Sequence, residues 1–170
     1  MTIAKGKMMK KLLFPLFYLL NSLCANTINI PSDYTTIQEG IDASVDGDTV
    51  LIAQGTYTEN LILEKEIVLA SHALNDDLNT EWINNQYIQG TIISGPSEPV
   101  DPNYGSCLVI RDGNIAPTIL GFTFRDGIGT AMVENDTCEL VVQRPERSGG
   151  AILMYKAYPT IMYNLSLIHI

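Results

Sequence analysis

The chain of 170 residues is poor in cations: 10 Lys and Arg stand against 19 Asp and Glu, and the formal charge is −9. No basic stripe interrupts that acidity, so the positive surface that nucleic acid or an anionic membrane would require is missing. Histidines number 2 and cysteines 3, with no Cys-x-x-Cys spacing, which leaves no basis for a zinc ligand set or a thiol redox pair. Long apolar runs are also lacking. "LLFPLFYLL", Leu12 to Leu20, falls short of the roughly 20 residues that span a bilayer and is interrupted by Pro15.

That short run sits where a leader would. Lys5, Lys7, Lys10 and Lys11 precede it, and "NSLCAN" follows with Ala25 as the small residue for cleavage, so residues 1–25 read as a secretory signal peptide. A transmembrane anchor is the competing reading. A lipid anchor on Cys24 is disfavoured by the bulky Leu23 before it. Cleavage after Ala25 leaves 170 − 25 = 145 residues, enough for one domain with its own core. The four lysines leave with the leader, and the mature charge becomes (10 − 4) − 19 = −13. Membrane contact is then expected only through the signal peptide, and nucleic acid is excluded as a partner. Of the cysteines, Cys107 and Cys138 stay in the mature chain. An exported pair could form a disulfide worth roughly 3 kcal/mol or remain two buried thiols.

Along the mature chain, Thr27 to Ile30 alternates and Pro31 ends it. Thr36-Ile37-Gln38-Glu39 reads as a helical capping box, and Ile37, Ile41 and Val45 recur at a spacing of four, so the pattern predicts one amphipathic helix over Thr36 to Val45. Gly47 falls where a helix stop is expected, flanked by the turn formers Asp46 and Asp48. The Asp-Gly-Asp is therefore punctuation between helix and strand. It lacks the six to eight oxygens of a calcium site. Beyond it the period becomes two: Val50 and Ile52, Leu61 and Leu63, Ile67 and Leu69, Ile92, Leu108 and Ile110, then Ile119, Phe122 and Phe124 mark short strands between turn residues.

An internal repeat chooses among all-β architectures. "VIRDGNIAPTI", Val109 to Ile119, aligns without a gap on "AILMYKAYPTI", Ala151 to Ile161, at an offset of 159 − 117 = 42 residues. Such a period fits a solenoid turn lengthened by an insertion. Gly127 to Ser148 reads as that insertion, and Ser71 to Tyr87 as a second excursion. In a parallel solenoid inward side chains stack at the strand spacing, and the exposed first coil needs a cover. The Thr36 to Val45 helix is suited to that place.

These residues resemble a family. "DYTTIQEGIDASVDGDTVLIAQGTYTENLIL" looks like the start of exported right-handed parallel β-helix proteins of the pectin-lyase-like class, and "GFTFRDG" and "GGAILMYKAYPTIMYN" are similar to their repeat coils. The resemblance covers nearly all of Ile28 to Asn164. It implies an all-β, right-handed parallel β-helix with a short N-terminal capping helix; it implies no activity, since fold does not set function. Pectin methylesterases begin similarly. Their Gln-Asp, Gly-x-x-Asp-Phe and Gly-Arg-Pro-Trp segments do not occur here, and Arg144-Pro145 lacks both the preceding Gly and the following Trp. The tail "LSLIHI", Leu165 to Ile170, is what the end of a common sequencing-library adaptor encodes. Residues 165–170 therefore read as a non-native tail, and residues 26–164 as the N-terminal part of a domain truncated at the C-terminus.

Several residues invite chemistry. Two Arg-Asp-Gly triplets, Arg111 to Gly113 and Arg125 to Gly127, could offer Arg125 as a lyase base with Asp112 and Asp126 holding calcium, although Asp-Gly is also a common turn pair. Asp76, Asp77 and Glu81 could share a cation or simply be a solvated loop. His72 has no partner at ligand spacing. Asn135-Asp136-Thr137 matches a glycosylation acceptor. Tyr57, Tyr87, Tyr104, Tyr155, Tyr158 and Tyr163 could stack on sugar rings or pack between coils. No residue is assigned as catalytic, cofactor-binding or metal-ligating. The function expected is an exported or cell-surface, non-catalytic module, polysaccharide-binding or adhesive; the alternative is a lyase or pectin esterase whose catalytic coils lie elsewhere.

Overall fold

A computed structural model describes residues 25–101, 103–111, 113–131 and 147–167. The expected signal peptide (but for Ala25), Asp112, most of the insertion with Cys138 and Asn135, and His169 lie outside the described residues.

The chain opens with β1 (Thr27–Ile30) and a helix, α1 (Ile37–Ala43). Three strands follow in quick succession: β2 (Thr49–Ile52), β3 (Gly55–Thr58) and β4 (Leu61–Leu63). Next come β5 (Val68–Ser71), a short helix α2 (Gln86–Gly90), β6 (Thr91–Ser94), β7 (Tyr104–Gly105) and β8 (Leu108–Arg111). The last strands are β9 (Thr118–Leu120), β10 (Thr123–Arg125), β11 (Gly129–Ala131), β12 (Arg147–Ser148), β13 (Ile152–Tyr155), β14 (Thr160–Met162) and β15 (Leu165–Leu167).

The fold is all-β, and three of the four sheets among the described residues are parallel. One has the order β1-β2-β5-β9-β14, the second β15-β10-β6-β3 and the third β13-β8-β4. From β2 onward the chain visits the three in the same order on every pass. Inward side chains consequently stack by register: Val50 faces Leu69, Leu69 faces Ile119, and Ile119 faces Ile161. The expected core positions Val50, Ile52, Leu61, Leu63, Ile67, Leu69, Ile119 and Phe122 are all buried, in a single cluster. The one antiparallel sheet among the described residues, β12-β11-β7, joins β11 and β12 of the insertion to β7.

The helix is shorter than its apolar spacing predicts. It stops at Ala43 because Ser44 turns extended, and its hydroxyl donates to the Ile41 carbonyl at 2.7 Å. Val45 is therefore off the stripe and 64% exposed, while Ile37 and Ile41 are buried against the first coil. Gly47 does not end the helix. It lies in the turn beyond, at φ +90° with open space around its Cβ direction. The capping box forms, with Glu39 N donating to Thr36 Oγ1 and Thr36 N to Glu39 Oε2.

Three side chains, Glu59, Lys65 and Gln38, lock this helix to its surroundings. The Glu59 carboxylate accepts from Ile37 N at 3.0 Å and Gln38 N at 3.1 Å, satisfying orphan donors at the positive end of the helix. Lys65 Nζ donates to the Ile41, Asp42 and Ser44 carbonyls at the other end. Between them the Gln38 amide donates to Ile62 O and accepts from Ile62 N at 2.8 Å, pairing with the open edge of β4 as a neighbouring strand would. Replacing Gln38 with Ala should cost about 1–2 kcal/mol in urea unfolding, because both backbone groups of Ile62 lose their partner.

The repeat sets the register only in part. Thr118 faces Thr160 as the aligned Pro-Thr-Ile units require, but in the strand before, Val109 faces Leu153 and not Ala151. The slip is two residues, which returns each side chain to the same face. Ser71 to Tyr87, expected as an excursion, carries its own packing: Ala73, Leu78 and Ile88 are buried with Ala70 and Leu120 on the outer face of the first sheet, with Trp82, Tyr87 and Tyr163 around them. At the far end, Ile161 and Met154 are 39% and 50% exposed although their in-register neighbours Ile119 and Ile110 are buried.

Candidate functional site

A cleft of about 430 Å³ lies beside the third sheet. Its floor is Thr58, Asn60 and Ile62, from the end of β3, the turn and β4; its opposite wall is Pro96, Glu98, Val100 and Asp101 from the loop after β6, closed by Tyr104 of β7. The turn is held in place from beneath: Asn60 Nδ2 donates to the Ser106 carbonyl at 2.9 Å, and Glu59 is committed to the helix α1. Val100 is fully exposed at the rim.

Behind the cleft, Arg111 of β8 lays its guanidinium 4.9 Å from the centre of the Tyr104 ring. Its Nε donates to Glu64 Oε1 at 2.7 Å and its Nη1 to the Tyr104 hydroxyl. The Glu64 carboxylate, helped by Tyr104 and opposed by partial burial, holds the Arg111 pKa above its ordinary value, so the cation persists at any working pH. Arg111 thus orients Tyr104. It does not point a free charge at a ligand.

The other sequence candidates are dispersed. Arg125 Nε lies 3.2 Å from Asp126 Oδ2 without the alignment of a hydrogen bond, and the same oxygen accepts from the Ser94 hydroxyl at 2.8 Å. Asp126 sits at φ +61°, a turn conformation, so the second Arg-Asp-Gly is a chain reversal whose aspartate is taken up by Ser94. Asp76 accepts from Asn85 Nδ2, Asp77 from Asn79 N, and Glu81 takes φ +50°. His72 lies 5.9 Å from the Tyr87 ring. Among the described residues no three His, Cys, Asp or Glu side chains are placed to share a metal ion. The tyrosines do not line one face: Tyr57 donates to Ala53 O, Tyr87 and Tyr163 join the second core, Tyr104 closes the cleft, and Tyr155 and Tyr158 are exposed. Cys107 is buried, its thiol donating to the Arg125 carbonyl at 3.2 Å, and burial pushes that thiol above its ordinary pKa.

The aspartates of the Asp-Gly-Asp turn accept from backbone. Asp46 Oδ1 accepts from Glu66 N at 2.9 Å; Asp48 Oδ1 accepts from Asn26 N at 2.8 Å and Oδ2 from Val45 N at 2.9 Å. The Val45 and Asn26 bonds hold the Asp48 carboxyl below its ordinary range. Its contribution to stability is therefore complete above about pH 4, the ordinary aspartate value, and is lost as pH falls through the lower folded value. Asp48→Asn should cost about 1–2 kcal/mol at pH 7, and the gap from the parent in urea melts should close on acidification below about pH 4.

Glu59, Glu64 and Lys65 are missed by motif reading, and Arg111 and Tyr104, each noticed in the sequence, are not joined by it. The signal present is that charges flank the apolar strand in "ENLILEK", where a strand end meets a helix end.

No family model matches the chain. A cell surface glycoprotein of Methanothermus fervidus is 35% identical over 78 residues, an alignment covering 40% of this chain and 13% of the relative. The chain thus corresponds to a small part of that relative's length.

Proposed function

We propose that the chain is an exported, cell-surface module, folded as a right-handed parallel β-helix, that binds polysaccharide without cleaving it. The observation that carries the solenoid is the repeated passage through three parallel sheets in one order, with a single stacked core. The surface location draws support from the signal-like start and from the name of the Methanothermus fervidus relative. The ligand class draws on the cleft: Ile62, Pro96, Val100 and Tyr104 offer apolar faces for the C–H side of a sugar ring, and Glu98 and Asp101 offer acceptors for its hydroxyls. A cleft of that charge, on a chain of net charge −9, favours neutral over uronate polymers.

The test is retention of the chain beginning at Asn26 on insoluble neutral glucan, chitin and polygalacturonate. Retention on a neutral polymer, weakened about tenfold by Val100→Asp at the exposed rim, is expected. Absence of binding to all three would remove polysaccharide as the ligand, and release of sugar products would replace the reading with a polysaccharide-active enzyme.

A further inference from the structure

We infer that the Asp48 carboxylate is a built receptor for the α-ammonium that processing creates at Asn26, so that removal of the leader adds an ion pair to the fold. The inference rests on the export reading, with cleavage at the Ala25–Asn26 bond.

Three observations place the site. Asn26 N lies 2.8 Å from Asp48 Oδ1, and Asn26 O accepts from Thr49 N at 2.8 Å, so this residue is tied by both its backbone groups just ahead of β1. Asp48 itself is only 4% exposed and is fixed on its other oxygen by Val45 N. Ala25 and Asn26 are exposed, which leaves the bond between them at the surface.

The chemistry at that nitrogen changes on cleavage. A signal peptidase adds water across the Ala25–Asn26 amide: the hydroxyl goes to the Ala25 carbonyl carbon, which departs as the leader's carboxylate. The nitrogen keeps the bond's electron pair and takes up protons, becoming an ammonium at neutral pH, where an ordinary α-amine titrates at about 7.7–8.0. The same nitrogen that donated one amide N–H to the carboxylate now carries a positive charge against it, so an ion pair replaces a hydrogen bond from a neutral donor. The charged groups around the turn are Lys65, whose ammonium is engaged by the carbonyls of Ile41, Asp42 and Ser44, and Asp46, whose Oδ1 accepts from Glu66 N. The consequence is directional. The uncleaved chain has Asn26 held by an amide N–H on the Asp48 carboxylate, and the exported chain has it clamped by an ion pair.

An amine whose pKa is raised by a partner stabilises the fold below its unfolded pKa and loses that contribution as pH rises through the folded value. The experiment compares the chain beginning at Asn26 with the same chain acetylated on the Asn26 nitrogen, which restores a neutral amide. Expected are a melting midpoint about 3–5 °C higher for the free amine at pH 7, a gap that vanishes at high pH and in Asp48→Asn, and an α-amine titrating above its ordinary range by NMR. Equal midpoints at pH 7 with an ordinary amine titration would overturn the ion pair, whether or not Asp48→Asn folds. N-terminal sequencing of the exported protein separates this from the reading beneath it: a start at Asn26 supports both, and any other start overturns the cleavage site and the receptor together.

Discussion

An Ile41→Asp chain is expected to lose about 3–5 kcal/mol of stability in urea unfolding, enough to leave a domain of this size largely unfolded near its normal melting range. Ile41 is 1% exposed and belongs to the same core cluster as Val50, Ile52 and Leu61, so a carboxylate there has neither water nor a cation to meet it. Lys65 is near the helix end, but its ammonium already serves three backbone carbonyls. A control at Ala43, exposed on the same helix, should change stability by less than about 0.5 kcal/mol as Ala43→Gln. If Ile41→Asp melted like the parent, α1 would not be the cover of the first coil.

Gly127→Val is expected to be comparably severe, for a different reason. A Cβ at Gly127 would lie 1.9 Å from the Gly150 carbonyl oxygen and 2.9 Å from Cys107 Sγ, and a carbonyl oxygen in a backbone cannot swing aside as a long side chain can. The cost is a shift of the main chain where the turn after β10 meets the approach to β13, about 3 kcal/mol or more. Gly47 provides the contrast. Its φ of +90° strains any side chain, yet nothing lies within 4 Å of its Cβ direction, so Gly47→Ala should cost only about 1 kcal/mol. Denaturant midpoints of the two variants at equal slope would show the difference; a milder Gly127→Val than Gly47→Ala would contradict the close approach.

Much of this architecture is legible in the residues because each local signal agrees with the others. The alternation of Leu61 and Leu63 or Ile67 and Leu69 states which side chains face inward, and the capping box marks where α1 begins. The shortened end of α1 was not legible, since Ser44 and Val45 continue the helical spacing and only the bonds of Ser44 and the turn through Asp48 show that the chain has already left it. The register of β8 on β13 escaped for a related reason. A slip of two leaves the apolar pattern unchanged, so the sequence repeat cannot distinguish Ala151 from Leu153 opposite Val109.

The candidate site was the least readable part. Tyr104 and Arg111 come together from β7 and β8, and Glu64 reaches them from beyond β4, a distance in sequence that no motif spans. The Arg-Asp-Gly triplets drew notice as a catalytic pattern. In the described residues Arg111 steadies a tyrosine, and Asp126 turns the chain. Trp82 and Tyr163, 5.8 Å apart edge to face, show the same limit: one comes from the excursion and the other from the turn after β14, and only the fold makes them neighbours.

The central claim is that successive passes of the chain lie parallel and in register, with Leu69, Ile119 and Ile161 stacked. Inter-strand nuclear Overhauser contacts in a deuterated, selectively protonated chain test it directly. Backbone contacts linking Thr118 to both Val68 and Thr160, and side-chain contacts linking Ile119 to both Leu69 and Ile161, are expected. Contacts joining β2 to β3, or β9 to β10, as antiparallel hairpins would contradict it.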